Sequence, residues 1–229
     1  MDVHRDKEGP EAAMDFEAAR TKMVDNQIRT TDVTDLRLLR AFLAVPRERF
    51  VPEARRDLAY IDVDLPLGEG RYLMEASPFA RLLQLAAISE DDKVLVVGCG
   101  TAYSVAILSR LATSVVAVEP SPLLAAEARA NLAAVGAEHW TLAEGPLGEG
   151  HAAGAPYDVI LVEGAVDAVP KPLLSQLADG GRLIVVEGHG NAGFAVVYLN
   201  EEGVISRRPA FNCSVKPLPA LTQAPTFSF

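Results

Sequence analysis

The sequence predicts an α/β protein with a doubly wound, mostly parallel sheet that helices cover on both faces. The main observation is that short apolar runs alternate with helical patterns from residue 93 to about residue 186. Such alternation is typical of βαβ units, in which helices cover the two faces of a parallel sheet. A second observation is that two short apolar runs flank the turn residues 201–203. They predict that the sheet ends in an antiparallel hairpin.

Each element of this part of the chain has its own local signal. We expect parallel strands at 94–97, 114–118, 139–143, 157–162 and 182–186, followed by hairpin strands at 194–199 and 204–207. The intervening helices are expected at about 101–111, 122–135 and 170–178. Glycine and proline punctuate these segments and set the expected ends.

The N-terminal part has a different pattern. Apolar residues recur at helical spacing over 16–28 and 36–43, with Thr34 as the expected cap of the second helix. Residues 60–76 look irregular, and Ser77-Pro78 has the composition of a helix start. We therefore divide the chain into a disordered leader (1–14), a helical, substrate-side segment (15–92) and a sheet domain (93–229) that forms one compact unit with it.

Composition excludes several classes of function. The 229 residues carry a formal net charge of −10, which disfavours duplex DNA and anionic membranes as partners. The two cysteines exclude a disulfide scaffold, and neither cysteines nor histidines show metal-ligand spacing, so no metal is expected. No apolar run approaches a membrane span and no secretory leader is visible, so we expect a cytoplasmic protein.

The sharpest motif is a strand, a glycine turn and a helix at 94–103, which read VLVVGCGTAY. Glycines allow close approach of a ligand to the backbone, and the helix start offers free N–H groups. Glu119 ends the next strand, 21 residues after Gly98. An acid at that place reaches both hydroxyls of a ribose.

The kind of nucleoside follows from what the turn lacks. A dinucleotide fingerprint requires a third glycine where bulky Tyr103 stands, and a phosphate-binding P-loop requires a lysine after the glycines. No basic residue lies near the turn in the sequence to neutralise phosphates. The motif therefore favours a ligand with adenine and ribose but no phosphate, namely S-adenosylmethionine.

Several stretches in order along residues 20–190 resemble the protein-L-isoaspartate O-methyltransferase family. They are 23–29 (MVDNQIR), 45–52 (VPRERFVP), 59–62 (AYID), 65–68 (LPLG), the glycine turn, 118–119, 157–162 (YDVILV) and 169–183. The proline–arginine–glutamate block is the most specific of them. The resemblance implies a Rossmann-like methyltransferase sheet, S-adenosylmethionine as methyl donor, and a carboxylate of damaged protein as acceptor.

The resemblance also implies roles for individual residues. Gly98, Cys99 and Gly100 match the family's donor loop, and Glu119 matches its ribose acid. Glu144-Gly145 stands where the family has an Asp-Gly pair that contacts the adenine.

The chain departs from the family pattern at four places. Val96 replaces an acid before the turn, and Ala102 replaces its third glycine. Residues 71–75 read RYLME where the family has Gln-Thr-Ile-Ser-Gln at the methyl-transfer centre, and 163–165 read EGA in place of Thr-Ala-Ala. Tyr72 and Ser77 are the remaining hydroxyl candidates for a catalytic role. Ser77 qualifies only if one residue is looped out; otherwise it caps a helix.

Three hypotheses remain open from the sequence. The protein repairs isoaspartyl protein by carboxyl methylation, or it methylates another acceptor, or it is a non-catalytic donor-binding module. A carboxylate is already ionised at pH 7, so its methylation requires alignment of the reactants and no general base. Because the hydroxyls at 71–75 are lost and Glu75 adds negative charge, we expect isoaspartyl turnover to be weak or absent.

Overall fold

The structure is a computed structural model that describes residues 14–222, so the predicted leader lies outside the described residues except for Met14. Its centre is a seven-stranded sheet with the strand order β5-β4-β3-β6-β7-β8-β9. The strands are β3 (Lys93–Val97), β4 (Ser114–Val118), β5 (Trp140–Ala143), β6 (Tyr157–Val166), β7 (Leu177–Glu187), β8 (Phe194–Glu201) and β9 (Val204–Asn212). The first five strands in that order are parallel, and β8 and β9 are antiparallel. The predicted fold class is confirmed.

The order of the strands reverses between β3 and β6. The chain runs outward from β3 through β4 to β5 and then returns to place β6 on the other side of β3. In open α/β sheets, ligands bind in the crevice beyond the carboxyl ends of the strands at such a switch point. The glycine turn that follows β3 therefore lies at the place where this fold binds ligands.

The helices agree with the sequence in number and differ at their ends. They are α1 (Phe16–Met23, continued as a π-helical turn over Val24–Ile28), α2 (Leu36–Ala44), α3 (Ala76–Ala86), α4 (Tyr103–Leu108), α5 (Pro122–Ala134) and α6 (Lys171–Leu174). The prediction for 170–178 is wrong beyond residue 174, because Leu177 already pairs with Tyr157 at the start of β7.

Both predicted helix caps are displaced. Asp35, not Thr34, caps α2, because its Oδ1 accepts the backbone N–H groups of Arg37 and Leu38 at 2.8 and 3.3 Å. The helix α3 begins at Ala76, so Ser77 lies inside its first turn and no side chain caps it. Two residues, Met74 and Glu75, connect β2 to α3, and the catalytic role of Ser77 stays a prediction.

The segment expected to be irregular contains a small antiparallel hairpin, β1 (Leu65–Gly68) and β2 (Arg71–Leu73). The sequence pattern did not predict this hairpin, because each strand spans only three or four residues and Pro66 lies in the first. The hairpin places Arg71 against the glycine turn at the switch point of the sheet.

Alternate side chains of the parallel strands enter two cores. Val94 and Val96 face a large cluster that includes residues of α1 to α5, whereas Leu95 and Val97 face a smaller cluster. That smaller cluster is covered by α6, short 3₁₀ turns and a C-terminal segment (residues 213–222) that contributes Leu218. Within residues 14–222, no helix is both long and apolar enough to cross a bilayer.

Candidate functional site

The glycine turn after β3 has the open backbone that the sequence predicts. Gly98 and Gly100 have φ angles of +83° and +54°, a region in which side chains with a Cβ are strained. The Gly98 N–H donates to the carbonyl of Val118 at 2.9 Å, which fixes the turn to the end of β4. Ala102, in place of the usual third glycine, also has a positive φ of +73°.

Glu119 lies beside this turn and is completely buried. Its Oε2 accepts the Gly100 N–H at 2.8 Å, and its Oε1 accepts the Ser121 N–H at 3.3 Å. The structure thus brings together the turn and the acid that were paired from sequence spacing alone.

Arg71 occupies the remaining acceptor positions of Glu119. The guanidinium Nη1 lies 3.0 Å from both carboxylate oxygens, and Nη2 donates to the Gly98 carbonyl. A Cβ built on Gly98 would lie 2.9 Å from Arg71 Nη2. Sequence reasoning missed this contact because the two charges stand 48 residues apart.

The C-terminal segment covers the same place. It is anchored along the end of β6, since Ala165 donates to the Lys216 carbonyl at 2.9 Å and accepts from the Leu218 N–H at 2.8 Å. Leu218 is buried, and its Cδ1 lies 3.1 Å from the position of a Cβ on Gly98. A cavity of about 130 Å³ remains beside Glu119, lined by Glu69, Arg71, Pro120, Ser121, Leu147, Leu218 and neighbouring residues.

A second, smaller cavity lies on the other side of Arg71. It measures about 10 Å³ and is lined by Asp64, Tyr72, Met74, Glu163, Lys216 and neighbouring residues. This space admits about one water molecule. Arg71 therefore forms the wall between the cavity beside Glu119 and the cavity beside residues 71–75.

Glu163 points toward this second cavity without a hydrogen-bond partner. Its Oε1 is sealed from solvent and has no hydrogen bond within the described chain. Burial raises the pKa of the Glu163 carboxyl to about 7, and the nearby Ser104 hydroxyl and Arg71 partly oppose that rise. Sequence reasoning noted this residue only as a departure from the family pattern.

Other carboxylates surround the rim. Burial, followed by the neighbouring Asp62 and Asp64, raises the pKa of Glu75 to about 7. The Glu75 backbone N–H donates to Asp64 Oδ1 at 3.0 Å. This side of the site is therefore rich in acid groups, and an anionic acceptor would meet their repulsion.

A buried arginine of the VPRERFVP block holds the segment 71–75 in place. Arg47 is fully buried, and it donates to the carbonyls of Ala59 and Met74 at 2.7 and 2.8 Å. In the same block the Phe50 carbonyl accepts the Thr101 hydroxyl of the glycine turn at 2.6 Å. The VPRERFVP block thus holds the segment 71–75 and the glycine turn in place and does not itself line the cavities.

The remaining predicted residues lie at varying distances from this centre. Tyr72 is 39% exposed, and the Lys216 Nζ lies 5.6 Å from its ring. Glu144 is exposed and pairs with Arg129 at 2.9 Å, so neither it nor Gly145 lines the cavity beside Glu119. Leu147, three residues further along, lines it instead.

The Cys99 thiol is a packing group. Burial raises its pKa well above the usual value, and nearby Glu163 and Glu119 add to the rise. The helix α4 begins only at Tyr103, so Cys99 does not benefit from a helix terminus. Residues 14–222 contain no group of three or more His, Cys, Asp and Glu side chains arranged to hold a metal.

The sheet order, with the glycine turn at its switch point, is that of a Rossmann-like, S-adenosylmethionine-dependent methyltransferase. A family model described as "Protein-L-isoaspartate(D-aspartate) O-methyltransferase (PCMT)" matches residues 18–219. The chain belongs to this family, which confirms the resemblance.

Individual proteins of this family are similar to the chain over most of its length. A protein-L-isoaspartate O-methyltransferase of Methanoregula boonei is 43% identical over 80% of this chain and 84% of its own. One of Koribacter versatilis is 37% identical over 89% of this chain and 91% of its own. A solved protein-L-isoaspartate O-methyltransferase superposes with a TM-score of 0.74 at 26% identity over 86% of this chain, which spans 65% of that longer chain.

The site has the chemical groups for an adenosyl donor, while Arg71 and Leu218 fill part of the space. The buried carboxylate of Glu119 matches ribose hydroxyls, and Gly98 and Gly100 carry no side chain that would keep a ligand from the backbone of the turn. Both oxygens of Glu119 already accept the guanidinium of Arg71, however. A donor that binds Glu119 must therefore displace Arg71.

Proposed function

We propose that the protein transfers a methyl group from S-adenosylmethionine to a carboxylate of damaged, isoaspartyl-containing protein. The observation that carries this proposal is the buried acid Glu119 against the Gly98–Gly100 turn at the switch point of the sheet. Family membership over residues 18–219 supports the donor and the acceptor class.

In this proposal Gly98, Cys99 and Gly100 form the wall along which the donor lies, and Glu119 accepts its ribose hydroxyls. Leu147 and Leu218 supply apolar surface beside that carboxylate, suited to an adenine. Glu144 and Gly145 are proposed to reach the adenine edge from the end of β5, where Glu144 now pairs with Arg129.

The chain's task in the reaction is alignment and exclusion of water. When bound, the donor would supply a methyl group on a sulfonium; an ionised carboxylate oxygen would form the C–O bond as the C–S bond breaks and S-adenosylhomocysteine leaves, with no base required. The second cavity, beside Tyr72 and Met74, is the proposed acceptor side. Arg71 and Lys216 are the cations there that offset the carboxylates of Asp64 and Glu75.

Labelled-methyl transfer to an isoaspartyl peptide tests the proposal, with the aspartyl isomer as the control substrate. We expect base-labile methyl ester to form slowly, and on the isoaspartyl peptide alone. Donor binding without ester formation on either peptide would contradict the proposed acceptor, and lack of donor binding would contradict methyl transfer altogether.

One observation favours a second candidate function, which is methyl transfer to a cationic or neutral acceptor. The acidic groups Asp62, Asp64, Glu75 and Glu163 lie around the second cavity and its rim. They would attract an amine better than a carboxylate. A base-stable methyl label on a peptide lysine or amino terminus would establish this alternative.

We also propose that the protein acts in the cytoplasm on protein or peptide substrates rather than on nucleic acid or at a membrane. The acidic net charge of −10 supports this. Cell fractionation with an antibody against the chain tests it, and recovery with the membrane pellet would contradict it.

A further inference from the structure

Two neighbouring carboxylates at the site differ in their hydrogen bonding. Glu119 has both oxygens paired with Arg71 and also accepts two backbone N–H groups. Glu163 has a sealed oxygen with no partner at all. A buried polar atom without a partner costs free energy, so such an atom beside a functional site requires an explanation.

Arg71 lies between the two carboxylates. Its guanidinium borders the cavity beside Glu119, and its side chain also lines the second cavity, which Glu163 lines too. It already interacts electrostatically with Glu163 in the present conformation. Because its side chain borders both cavities, a rotation of that side chain is the motion required to carry its charge from Glu119 toward Glu163.

We propose that Arg71 is a built-in competitor of the methyl donor, which binds Glu119 when the donor is absent and Glu163 when the donor is bound. The inference rests on the proposed function, because it assumes that a donor's ribose hydroxyls bind Glu119. It assigns to Glu163 the role of receiving the displaced guanidinium. Arg71 affects donor affinity by occupying Glu119, and Glu163 affects it by binding Arg71. Both are therefore positioning residues.

The charges that face Glu163 are consistent with this role. Arg71 of β2 and Lys216 of the C-terminal segment are the cations, and Asp64 and Glu119 are the carboxylates. Cys99 of the glycine turn and Ser104 of α4 complete the surroundings as neutral groups. Arg71 is the cation that acts electrostatically on Glu163, whereas the Lys216 Nζ lies 5.6 Å from the Tyr72 ring.

The switch couples donor binding to a proton. Glu163 has a pKa of about 7 in the donor-free protein, so it is about half protonated at pH 7. When Arg71 arrives, its positive charge lowers that pKa and the carboxyl ionises. Binding at pH 7 should therefore release about half a proton, and affinity should rise as the pH increases toward 7 and level off above.

Calorimetric titration with S-adenosylhomocysteine, the demethylated product, tests the proposal without any need for turnover. Arg71→Gln removes the competitor and should bind about tenfold more tightly than the unmodified protein. Glu163→Gln removes the second position of Arg71 and should bind about tenfold more weakly. In the double variant the Glu163→Gln effect should disappear, since no guanidinium remains to be received.

The proton gives an independent readout. Titrations in buffers of different ionisation enthalpy should show proton release for the unmodified protein and none for Glu163→Gln. Arg208→Gln and Glu202→Gln, on the exposed β8–β9 hairpin, are matched controls that should leave affinity and proton release unchanged. If Arg71→Gln does not fold, Arg71→Lys replaces it in the titration, because lysine keeps the positive charge but lacks the planar guanidinium. It should bind S-adenosylhomocysteine with an affinity between those of the unmodified protein and Arg71→Gln.

The outcomes separate the inference from the proposed function. Equal or weaker binding by Arg71→Gln and Arg71→Lys, or a Glu163→Gln effect that persists in the double variant, would overturn the switch and leave donor binding established. Absence of binding by the unmodified protein and by every variant would overturn the proposed function together with the switch.

Discussion

At the scale of single residues, the site contains two neighbouring acids, and Arg71 is hydrogen-bonded to one of them. Arg71 pairs with Glu119 at 3.0 Å, while Glu163 lies nearby without a hydrogen bond to its sealed oxygen. Removal of one partner of a buried pair leaves an uncompensated charge, whereas a buried acid without a partner takes up a proton instead. The Glu163 carboxyl therefore takes up a proton at a higher pH than an ordinary carboxyl, with a pKa of about 7.

Glu163 makes the stability of the donor-free protein depend on pH. Its pKa is about 7 in the folded protein against an ordinary value of 4.5, so folding favours the protonated form. The cost of ionising it appears as pH rises from 4.5 to 7 and is complete above 7. Relative to the unmodified protein, Glu163→Gln should gain up to about 3 kcal/mol of unfolding free energy at pH 8 and far less at pH 4.5.

Urea denaturation of both proteins at the two pH values measures this difference, with Glu202→Gln as the exposed control. An equal effect of Glu163→Gln at pH 4.5 and pH 8 would show that the carboxyl is not forced to protonate by the fold.

At the scale of elements, the hairpin β1–β2 and the residues that follow it determine the acceptor side. Arg47 ties this segment to the core through the Met74 carbonyl at 2.8 Å. Met74 offers only a weak thioether acceptor, and the Tyr72 hydroxyl lies on a half-exposed ring. The segment thus lacks hydroxyl donors close to the backbone that would hold a carboxylate.

We therefore expect slow methylation of isoaspartyl peptides by the unmodified protein. Replacing residues 71–75 by Gln-Thr-Ile-Ser-Gln should raise the rate substantially, because misplacement of about 1 Å can lower a rate on the order of 10²-fold. Labelled-methyl transfer at saturating donor measures it. Fast, isomer-selective turnover by the unmodified protein would show that this segment does not limit the reaction. Ser77→Ala should have little effect on the rate of methylation.

Sequence patterns predicted the strands better than the contacts at the site. Ser114–Val118 was predicted with its exact bounds, because a β-branched run is bounded by a helix end and an acid. The Arg71–Glu119 pair could not be predicted, since side chains 48 residues apart meet only through the tertiary arrangement of two strands. The sequence showed that Glu163 departs from the family pattern. It could not show that the Glu163 carboxyl lacks a hydrogen-bond partner, because that depends on how the surrounding side chains pack.

At the scale of the whole molecule, the segment 15–92 and the sheet share one core. Met23, Phe42 and Phe79 belong to the same buried cluster as Tyr103 and Ile184 of the sheet domain. The rings of Phe50 and Tyr103 lie 5.4 Å apart across this boundary. Removal of the segment would expose this apolar surface to water.

We expect that a fragment of residues 93–229 does not fold alone, in keeping with the proposed single unit of 15–92 and 93–229. Circular dichroism and urea denaturation of the fragment measure this, with a 15–229 fragment as the control. A cooperative unfolding transition for 93–229 would show that the sheet is an independent domain.

In the proposed switch, the methyl donor and Arg71 compete for Glu119. A crystal structure of the protein with S-adenosylhomocysteine tests it most directly. We predict that the ribose hydroxyls bind the Glu119 carboxylate and that the Arg71 guanidinium pairs with Glu163. Arg71 still bound to Glu119 in a complex whose ligand lies elsewhere would contradict the account.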